Sequence, residues 1–538
     1  MNEPISRRQF LMGSTLATST LLARGASAPF PTGEGPAAGA AADLAADTVS
    51  IDLTGRMVHQ MQSGVGASWQ SIVYPTVGHG GSGFGGTPPV IPRHSALWKS
   101  IERHAEWLGL KFIRAEMDWR QWQPEKGRLT FDSPEMAILE RILSWAQGHG
   151  SDVLLQCMWP NVEWLAFPEY RRDPALVQAS APCDLDALAQ GWVTLLTELV
   201  GRRGHSCIRW IHLVNEPNFY WWLVPPDTGA DQDRRRQTLY LAEALRAVRA
   251  AVRAAGLPVR VMGPGWTDLP ILEGLAGEPW WPHVDDVDFH CYGACYDWED
   301  PTAMPASWAF RMGERLGATL PGYREETAKS GRGLFITEFG SQIYGWKADD
   351  PAPGSFKSSL KDTEFLVRAL NMGIDGANHW SFTNRGDMDG QWQFVETWDR
   401  AWKQWLESAV PHRDSYFVLG LATRHIPHRA RVMEAAVRGG GVEGRQRVWA
   451  SALRSPKDSS LTLLIVNDAE RSWPLRISLP GQQGGLAKIS STAGARPEAI
   501  LHYTPVALAG AAAEVNLEPF SLTVLTDTPL SPDGPGRW

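Results

Sequence analysis

The chain has 538 residues, of which 43% are hydrophobic and 20% charged, as in a globular protein with room for more than one domain. The formal net charge is -8, and no basic stripe interleaved with aromatic residues appears, which argues against nucleic-acid binding.

The N-terminus has the pattern of an export signal. Ser6-Arg7-Arg8-Gln9-Phe10-Leu11 leads into an apolar stretch that ends at Leu22, and Ala26-Ser27-Ala28 offers small residues for cleavage. This pattern predicts a twin-arginine signal peptide over residues 1–28, whose apolar part is too short to span a membrane. We therefore expect a periplasmic or secreted protein with no membrane span in the mature chain. The alternative is a frayed terminus that carries paired arginines by chance.

The next segments are poor in bulky apolar residues. Residues 29–50 are predicted to be a disordered linker that ends in a first strand. Residues 78–90 are rich in glycine, but no Lys-Ser/Thr pair or strand–helix frame follows, so we expect a loop over a cleft rather than a phosphate-binding loop.

Residues 51–412 alternate short apolar runs with amphipathic helical patterns such as Leu239–Ala254. The strand candidates are Val65–Ser68, Phe112–Arg114, Val153–Trp159, Arg209–Asn215, Val259–Met262, Val287–Tyr292, Leu334–Glu338 and Ala377–Phe382. Eight strand-then-helix units predict an α/β fold, the (β/α)8 TIM barrel. In that fold the active site lies at the C-terminal ends of the strands.

Two of these strands end in a glutamate. One apolar run stops at Asn215-Glu216-Pro217, because proline has no N–H to continue a ladder, and the other ends in Thr337-Glu338-Phe339-Gly340. Each alone also fits a strand followed by a polar loop. Together, carboxylates at opposite sides of a barrel mouth can flank a glycosidic bond, one as proton donor and one as nucleophile. The pair predicts a retaining glycosidase, with carboxyl groups about 5–5.5 Å apart.

Several polar residues at the strand ends are candidates to assist. Asn215 is placed to hydrogen-bond a sugar 2-hydroxyl, and period-two alternation puts His290 and Tyr292 on one face, within reach of Glu338. The charge of Arg114, at the end of the second strand, would keep that carboxylate ionised. A lone Arg or His at a strand end is more often structural, and it is their convergence that favours a functional role.

Tryptophan is unusually frequent, with 26 residues against 10 tyrosines. The apolar faces of sugar rings stack on indoles, so tryptophans near strand ends are candidate platforms, although core packing is an equal alternative for each. The candidates are Trp159, Trp222, Trp298, Trp346 and Trp380.

No metal or cofactor motif is present, so we expect neither. The five cysteines include no CxxC pair, and Cys291 and Cys295 are predicted to be either bridged after export or free buried thiols.

Residues 413–530 show short strand-like runs without helical periods, which predicts a C-terminal antiparallel β-sandwich, followed by a tail over 531–538. The runs are Tyr416–Leu419, Val432–Ala436, Val448–Leu453, Leu461–Val466, Leu475–Ser478, Ala513–Leu517 and Ser521–Leu525. Val49–Leu53 is expected to join this domain, because the barrel does not need it.

Several motifs resemble those of known enzymes. Asn-Glu-Pro at 215–217 and Thr-Glu-Phe-Gly at 337–340 resemble the clan A retaining glycoside hydrolases. Residues 109–114 and 123–127 are similar to the second-strand region of families 5 and 39. Residues 416–420 and 519–522 resemble the β-sandwich of families 30 and 39.

This resemblance implies roles for individual residues. It makes Glu216 the acid/base, Glu338 the nucleophile and Asn215 a substrate-binding residue, with Arg114, His290 and Tyr292 among the auxiliary positions. It implies an oligosaccharide or polysaccharide as partner. The third strand ends in Cys157-Met158-Trp159-Pro160, where family 5 often carries a histidine. Two other classes stay open: an inactive carbohydrate-binding or scaffold protein on the same fold, and a barrel enzyme of other chemistry such as a lyase.

Overall fold

The structure is a computed structural model of the chain. It describes residues 48–70, 96–160, 162–218, 221–228, 231–267, 272, 274–292, 319–340, 355–383, 392–399, 404–411, 414–482, 484–493 and 502–530. The expected signal peptide and the glycine-rich segment 78–90 lie outside these residues.

Eight parallel strands form a closed barrel in chain order, which confirms the predicted fold. They are β2 (Val65–Gln70), β3 (Phe112–Met117), β4 (Asp152–Cys157), β5 (Ile208–His212), β6 (Arg260–Trp266), β7 (Asp286–Cys291), β8 (Leu334–Phe339) and β9 (Gly376–His379). Each overlaps one predicted strand. Near the strand starts, the barrel interior is filled by a layer of large apolar side chains: Phe112, Leu154, Trp210, Met262 and Phe335. This packed layer leaves the opposite end of the barrel for polar side chains.

Helices connect most of the strands. They are α1 (Ala96–Leu108), α2 (Pro134–Gly148), α3 (Pro174–Ala179), α4 (Leu185–Leu196), α5 (Arg234–Ala254), α6 (described over 319–329) and α7 (Phe356–Asn371). Helix α5 begins at the Arg234-Arg235-Arg236 run, where Asp233 accepts a hydrogen bond from the N–H of Arg236 and so caps the helix. Between β6 and β7 the described residues contain only short 3₁₀ turns, Leu275–Gly277 and Trp281–His283.

A second sheet of ten strands has the order β17-β16-β20-β14-β13-β12-β1-β15-β19-β18 and encloses its own apolar core. Its strands are β1 (Val49–Gln60), β12 (Arg431–Gly439), β13 (Val448–Arg454), β14 (Leu461–Asn467), β15 (Trp473–Ser478), β16 (Leu486–Thr492), β17 (Thr504–Val506), β18 (Leu508–Ala509), β19 (Ala512–Leu517) and β20 (Ser521–Thr526). All neighbours are antiparallel except β1 and β15. A separate hairpin, β10 (Val395–Asp399) and β11 (Gln404–Pro411), follows the barrel.

Three details of this region differ from the sequence predictions. Strand β1 joins the second sheet as expected but extends to Gln60, so the predicted start of the barrel at residue 51 falls inside a strand of the other sheet. The predicted strand Tyr416–Leu419 is wrong, because helices α8 (Asp414–Phe417) and α9 (Leu419–His425) cover it.

The reason for that helix lies in packing. The Tyr416 ring is buried, stacks on Trp107 of α1 and shares a 2.9 Å hydrogen bond with Nδ1 of His104. Four apolar residues in a row carry no helical period, so this tertiary contact was not visible in the sequence. A further helix, α10 (Gly441–Arg447), was also not predicted.

The barrel and the second sheet meet along α7, whose side chains are almost all buried. Lys361 of α7 pairs with Asp468, which follows β14, and its Nζ lies 3.1 Å from Oε2 of Glu364. Arg368 continues this network and lies over the Trp449 ring. Among the described residues, no helix has the length and apolar character that a membrane span needs.

Candidate active site

The two glutamates lie at the same end of the barrel. Glu338 is the fifth residue of β8, and Glu216 follows β5 after a short turn. Glu216 has a φ of 45°, a left-handed conformation that is uncommon for a residue with a side chain and is concentrated at functional sites. The strand, the turn and Pro217 thus set Glu216 at the barrel mouth.

Glu338 is held by three donors. Its Oε1 lies 2.5 Å from Nη1 of Arg114, its Oε2 accepts a 2.9 Å hydrogen bond from the Tyr292 hydroxyl, and Nδ1 of His290 lies 3.3 Å from Oε2. Burial alone would raise the pKa of Glu338, but the charges of Arg114 and His290 and the Tyr292 hydrogen bond outweigh it. The pKa of Glu338 therefore lies below its ordinary value, and the side chain is a carboxylate at neutral pH.

Arg114 organises the floor of the site. Its Nη2 donates a 2.6 Å hydrogen bond to Oδ1 of Asn215, and its Nη1 lies 2.8 Å from Oε1 of Glu116. The guanidinium also lies 5.7 Å from the centre of the Trp380 ring. Burial lowers the pKa of Arg114, but Glu338 and Glu116 raise it by more, so the guanidinium stays charged.

His290 lies between the two glutamates. Its Nδ1 is 2.8 Å from Oε1 of Glu216 as well as 3.3 Å from Glu338. Burial lowers the pKa of His290, yet the two carboxylates raise it above its ordinary value, which favours the imidazolium. The sequence placed His290 against Glu338; the shorter contact is to Glu216.

The separation of the two glutamates matches a pair that works together. A carboxylate oxygen of Glu216 lies within 4.8 Å of a carboxylate oxygen of Glu338. The side chain of Glu216 is 17% exposed and that of Glu338 only 5%, so Glu216 is the more accessible of the two.

Burial and neighbouring charges raise the pKa of Tyr292 well above its usual range, and its phenol is a donor throughout the physiological pH range.

The environment under the site is a buried polar network. Asp288 accepts hydrogen bonds from the Thr337 hydroxyl at 2.5 Å and from the N–H of Gly265 at 3.0 Å. His212 contacts Gln156, and a side chain at position 265 would overlap the His212 ring. Burial lowers the pKa of His212 to about 4, so its imidazole is neutral above that pH. This layer supports the strand ends that carry Glu338 and His290.

Aromatic side chains meet beside the two carboxylates. Met158, Trp159, Trp380 and Trp392 form one cluster, against which Trp221 and Tyr292 pack. Trp159 and Trp380 are 4% and 6% exposed, so they line the region while being largely covered. The rings of Trp159 and Trp221 lie 5.0 Å apart.

The other three tryptophans predicted as sugar platforms do not lie in this cluster as described. Trp222 is fully buried in the main apolar core beside Tyr240, so the expectation that it offers a sugar platform is wrong. Its neighbour Trp221 is half-buried and packs both on the main core and on the aromatic cluster. Trp298 and Trp346 lie outside the described residues.

Glu216, His290 and Glu338 also have the donor types of a metal site. Both oxygens of Glu338, however, already face the cationic or O–H groups of Arg114, Tyr292 and His290. A divalent cation would have to compete with the guanidinium charge at 2.5 Å, so these residues fit an ion-paired carboxylate better than a metal ligand. The expectation that no metal takes part stays a prediction.

Two polar and aromatic members of the site were not singled out from the sequence. Glu116 shares the Arg114 face of β3 by period-two alternation, a signal that was available. Trp392 comes from the segment after β9, and its position depends on tertiary packing.

Cys157, Cys183 and Cys207 are free thiols, whereas Cys295 lies outside the described residues, so a Cys291–Cys295 bridge stays untested.

The fold and the site define a (β/α)8 barrel with paired carboxylates at its mouth and an attached β-sheet domain. No protein-family model matches the sequence. No curated protein matches it either.

Solved structures do match. The fold is similar to that of a conserved exported protein from Bacteroides fragilis, with a TM-score of 0.61 and 11% identity over 89% of this chain and 100% of that chain. A family 51 arabinofuranosidase from Xanthomonas axonopodis pv. citri gives a TM-score of 0.58 and 13% identity, covering 89% and 99%. A family 30 subfamily 8 xylanase from Clostridium acetobutylicum gives 0.56 and 12%, covering 89% and 99%.

These matches extend over nearly the whole of each solved chain, barrel and second domain together. At 10–14% identity the likeness concerns the fold. The chain therefore has the barrel-and-sheet fold of the arabinofuranosidase and the xylanase, which confirms at the level of the fold the resemblance that the motifs indicate.

Proposed function

We propose that the protein is a retaining β-glycosidase that hydrolyses O-glycosidic bonds of oligosaccharides or polysaccharides by double displacement. The observation that carries this proposal is the Glu216–Glu338 pair, with carboxylate oxygens within 4.8 Å of each other. Retaining enzymes separate their carboxyl groups by about 5–5.5 Å, and inverting enzymes by about 6.5–9.5 Å to admit a water. The observed spacing supports retention.

In the first step, a Glu338 oxygen attacks the anomeric carbon while the bond to the leaving oxygen breaks. Arg114 and Tyr292 hold the attacking carboxylate ionised and oriented before the substrate arrives. Glu216 gives its proton to the leaving oxygen, and the His290 imidazolium lies 2.8 Å away as a source of that proton. The products are a glycosyl ester on Glu338 and the free leaving alcohol.

In the second step, Glu216 takes a proton from water, and the water oxygen displaces Glu338 from the anomeric carbon. Two displacements on opposite faces return the original anomeric configuration. Asn215, fixed by Arg114, is assigned to the sugar 2-hydroxyl, a contact that strengthens in the transition state. No metal or cofactor enters this scheme.

The division of labour between domains is part of the proposal. Among the described residues, every partner of Glu216 and Glu338 lies on a barrel strand or directly after one. We assign a supporting role to the second sheet, which residues 413–530 form together with β1. Residues 1–28 are assigned to twin-arginine export, which places the mature enzyme in the periplasm or outside the cell.

The test is a panel of aryl β-glycosides, aryl α-L-arabinofuranosides and β-linked polysaccharides, with Glu338→Gln as the matched inactive control. We expect release of aglycone from at least one aryl substrate by the wild type and none by the variant. Binding of a polysaccharide without hydrolysis would instead support the inactive carbohydrate-binding alternative. An ultraviolet-absorbing unsaturated sugar among the products would indicate a lyase.

A further inference from the structure

We propose that Glu116 is a positioning residue that shares the Arg114 guanidinium with Glu338 and so keeps the nucleophile from being overstabilised. This inference rests on the proposed function, because it assigns Glu116 a role in tuning the attacking carboxylate.

The geometry is one nitrogen between two carboxylates. Nη1 of Arg114 lies 2.8 Å from Oε1 of Glu116 and 2.5 Å from Oε1 of Glu338. The side chains of Arg114 and Glu116 are fully buried, and that of Glu338 is 5% exposed. Away from water these three charges interact strongly, so a change in one alters the energy of the others.

The fold makes this arrangement specific. Phe112, Arg114 and Glu116 alternate along β3 and face the barrel interior, with Phe112 in the apolar layer and the charged pair above it. Asn215 accepts a hydrogen bond from Nη2 of the same guanidinium. Arg114 is thus held from two sides by residues that are not the nucleophile.

The chemical consequence concerns reactivity. A guanidinium devoted to Glu338 alone would stabilise its anion strongly, and a more stable carboxylate is a weaker nucleophile. Glu116 takes part of that positive charge while fixing the guanidinium in place. Glu338 then remains ionised but keeps enough electron density to attack the anomeric carbon.

The experiment compares Glu116→Gln with the wild type. Loss of the Glu116 charge should lower the pKa of Glu338 further, so the acid limb of the kcat/KM profile should move down by roughly one pH unit. At neutral pH, kcat/KM for an aryl glycoside should fall by up to roughly tenfold, the equivalent of one pKa unit. Glu116→Asp keeps the charge but withdraws it from Arg114, and it should show a smaller shift in the same direction.

A second readout does not depend on turnover. Titration of the carbon-13-labelled Glu338 carboxyl by NMR should show the same downward shift in Glu116→Gln. An unmoved or raised Glu338 pKa in both variants, with only a lowered melting temperature, would overturn the role of Glu116. A wild type that hydrolyses no glycoside would instead overturn the proposed function, while the NMR titration would still decide the electrostatic claim.

Discussion

The Arg114 guanidinium lies 2.5 Å from the Glu338 carboxylate, and both side chains are buried. A buried ion pair contributes less to stability than its distance suggests, because both charges lose their hydration. Removing one partner leaves an uncompensated buried charge on the other. The presence of such a pair is therefore better explained by its effect on the protonation state of one partner than by a gain in stability. Here it sets the protonation state of the proposed nucleophile.

Arg114→Gln should raise the acid limb of the kcat/KM profile. Without the guanidinium, only His290 and Tyr292 oppose the effect of burial, so the pKa of Glu338 rises and activity is lost as the pH falls through that higher value. We expect kcat/KM near pH 5 to drop by roughly 100-fold and to recover partly at higher pH. Arg114→Lys, which keeps the charge, should lie closer to the wild type. An acid limb at the wild-type position in Arg114→Gln, in a folded protein, would contradict this account.

Azide rescue should separate the roles of the two glutamates. In Glu338→Ala, azide should restore cleavage with inverted configuration, because it attacks from the side of the missing nucleophile. In Glu216→Ala, a substrate with a good leaving group still forms the glycosyl-enzyme, and azide should give a product of retained configuration. Proton NMR of the glycosyl azides reads this directly. Retention from the first variant and inversion from the second would mean that the roles are exchanged.

Much of this site was readable from the sequence. Glu216, Glu338, Asn215, Arg114, His290 and Tyr292 were placed by a single rule, that strand ends meet at one mouth of a barrel. The rule works because strand parity and proline or glycine punctuation are local signals. It named Trp222 as a platform instead of Trp221, because which of two adjacent rings enters the core is set by tertiary packing. The strand predicted at Tyr416 failed for a related reason, since its partners His104 and Trp107 are far away in the chain.

The neighbouring tryptophans of that loop offer a matched pair. Trp221 packs on Trp159 in the aromatic cluster that Tyr292 also joins, so Trp221→Ala should raise KM for an oligosaccharide by roughly tenfold, the stacking of one ring. The Trp221→Ala variant should hydrolyse a glycosyl fluoride, which has no sugar leaving group, almost as fast as the wild type does. Trp222→Ala should instead cost about 3–5 kcal/mol of unfolding free energy, because it empties a core site. Equal effects of Trp221→Ala on both substrates would argue against stacking of the leaving-group sugar on Trp221.

The buried ion pair between α7 and the second sheet makes a stability prediction. Asp468→Asn removes a charge partner of Lys361, although Glu364 remains. We expect a loss of about 3 kcal/mol in the free energy of unfolding by urea, the low end for a broken buried pair. Asp52→Asn, which removes the exposed partner of Arg438, should change stability by no more than about 0.5 kcal/mol. Similar values for both variants would show that the buried pair contributes little to holding the sheet on the barrel.

Metal removal should have no effect. The oxygens of Glu338 are occupied by Arg114, Tyr292 and His290, so hydrolysis of an aryl glycoside should be unchanged after dialysis against EDTA. Loss of activity that returns on adding a divalent cation would contradict this prediction, and Glu216, His290 and Glu338 would then be the first ligands to test by substitution.

The central claim is that Glu338 forms a covalent bond to the sugar during turnover. The most direct measurement is mass spectrometry of the enzyme after reaction with an activated 2-deoxy-2-fluoro glycoside, which slows hydrolysis of the intermediate more than its formation. We predict a mass increase of one fluorosugar, located by peptide sequencing on Glu338 and absent in Glu338→Gln. A label on Glu216, or turnover of a good substrate with inverted product and no label at all, would contradict the account.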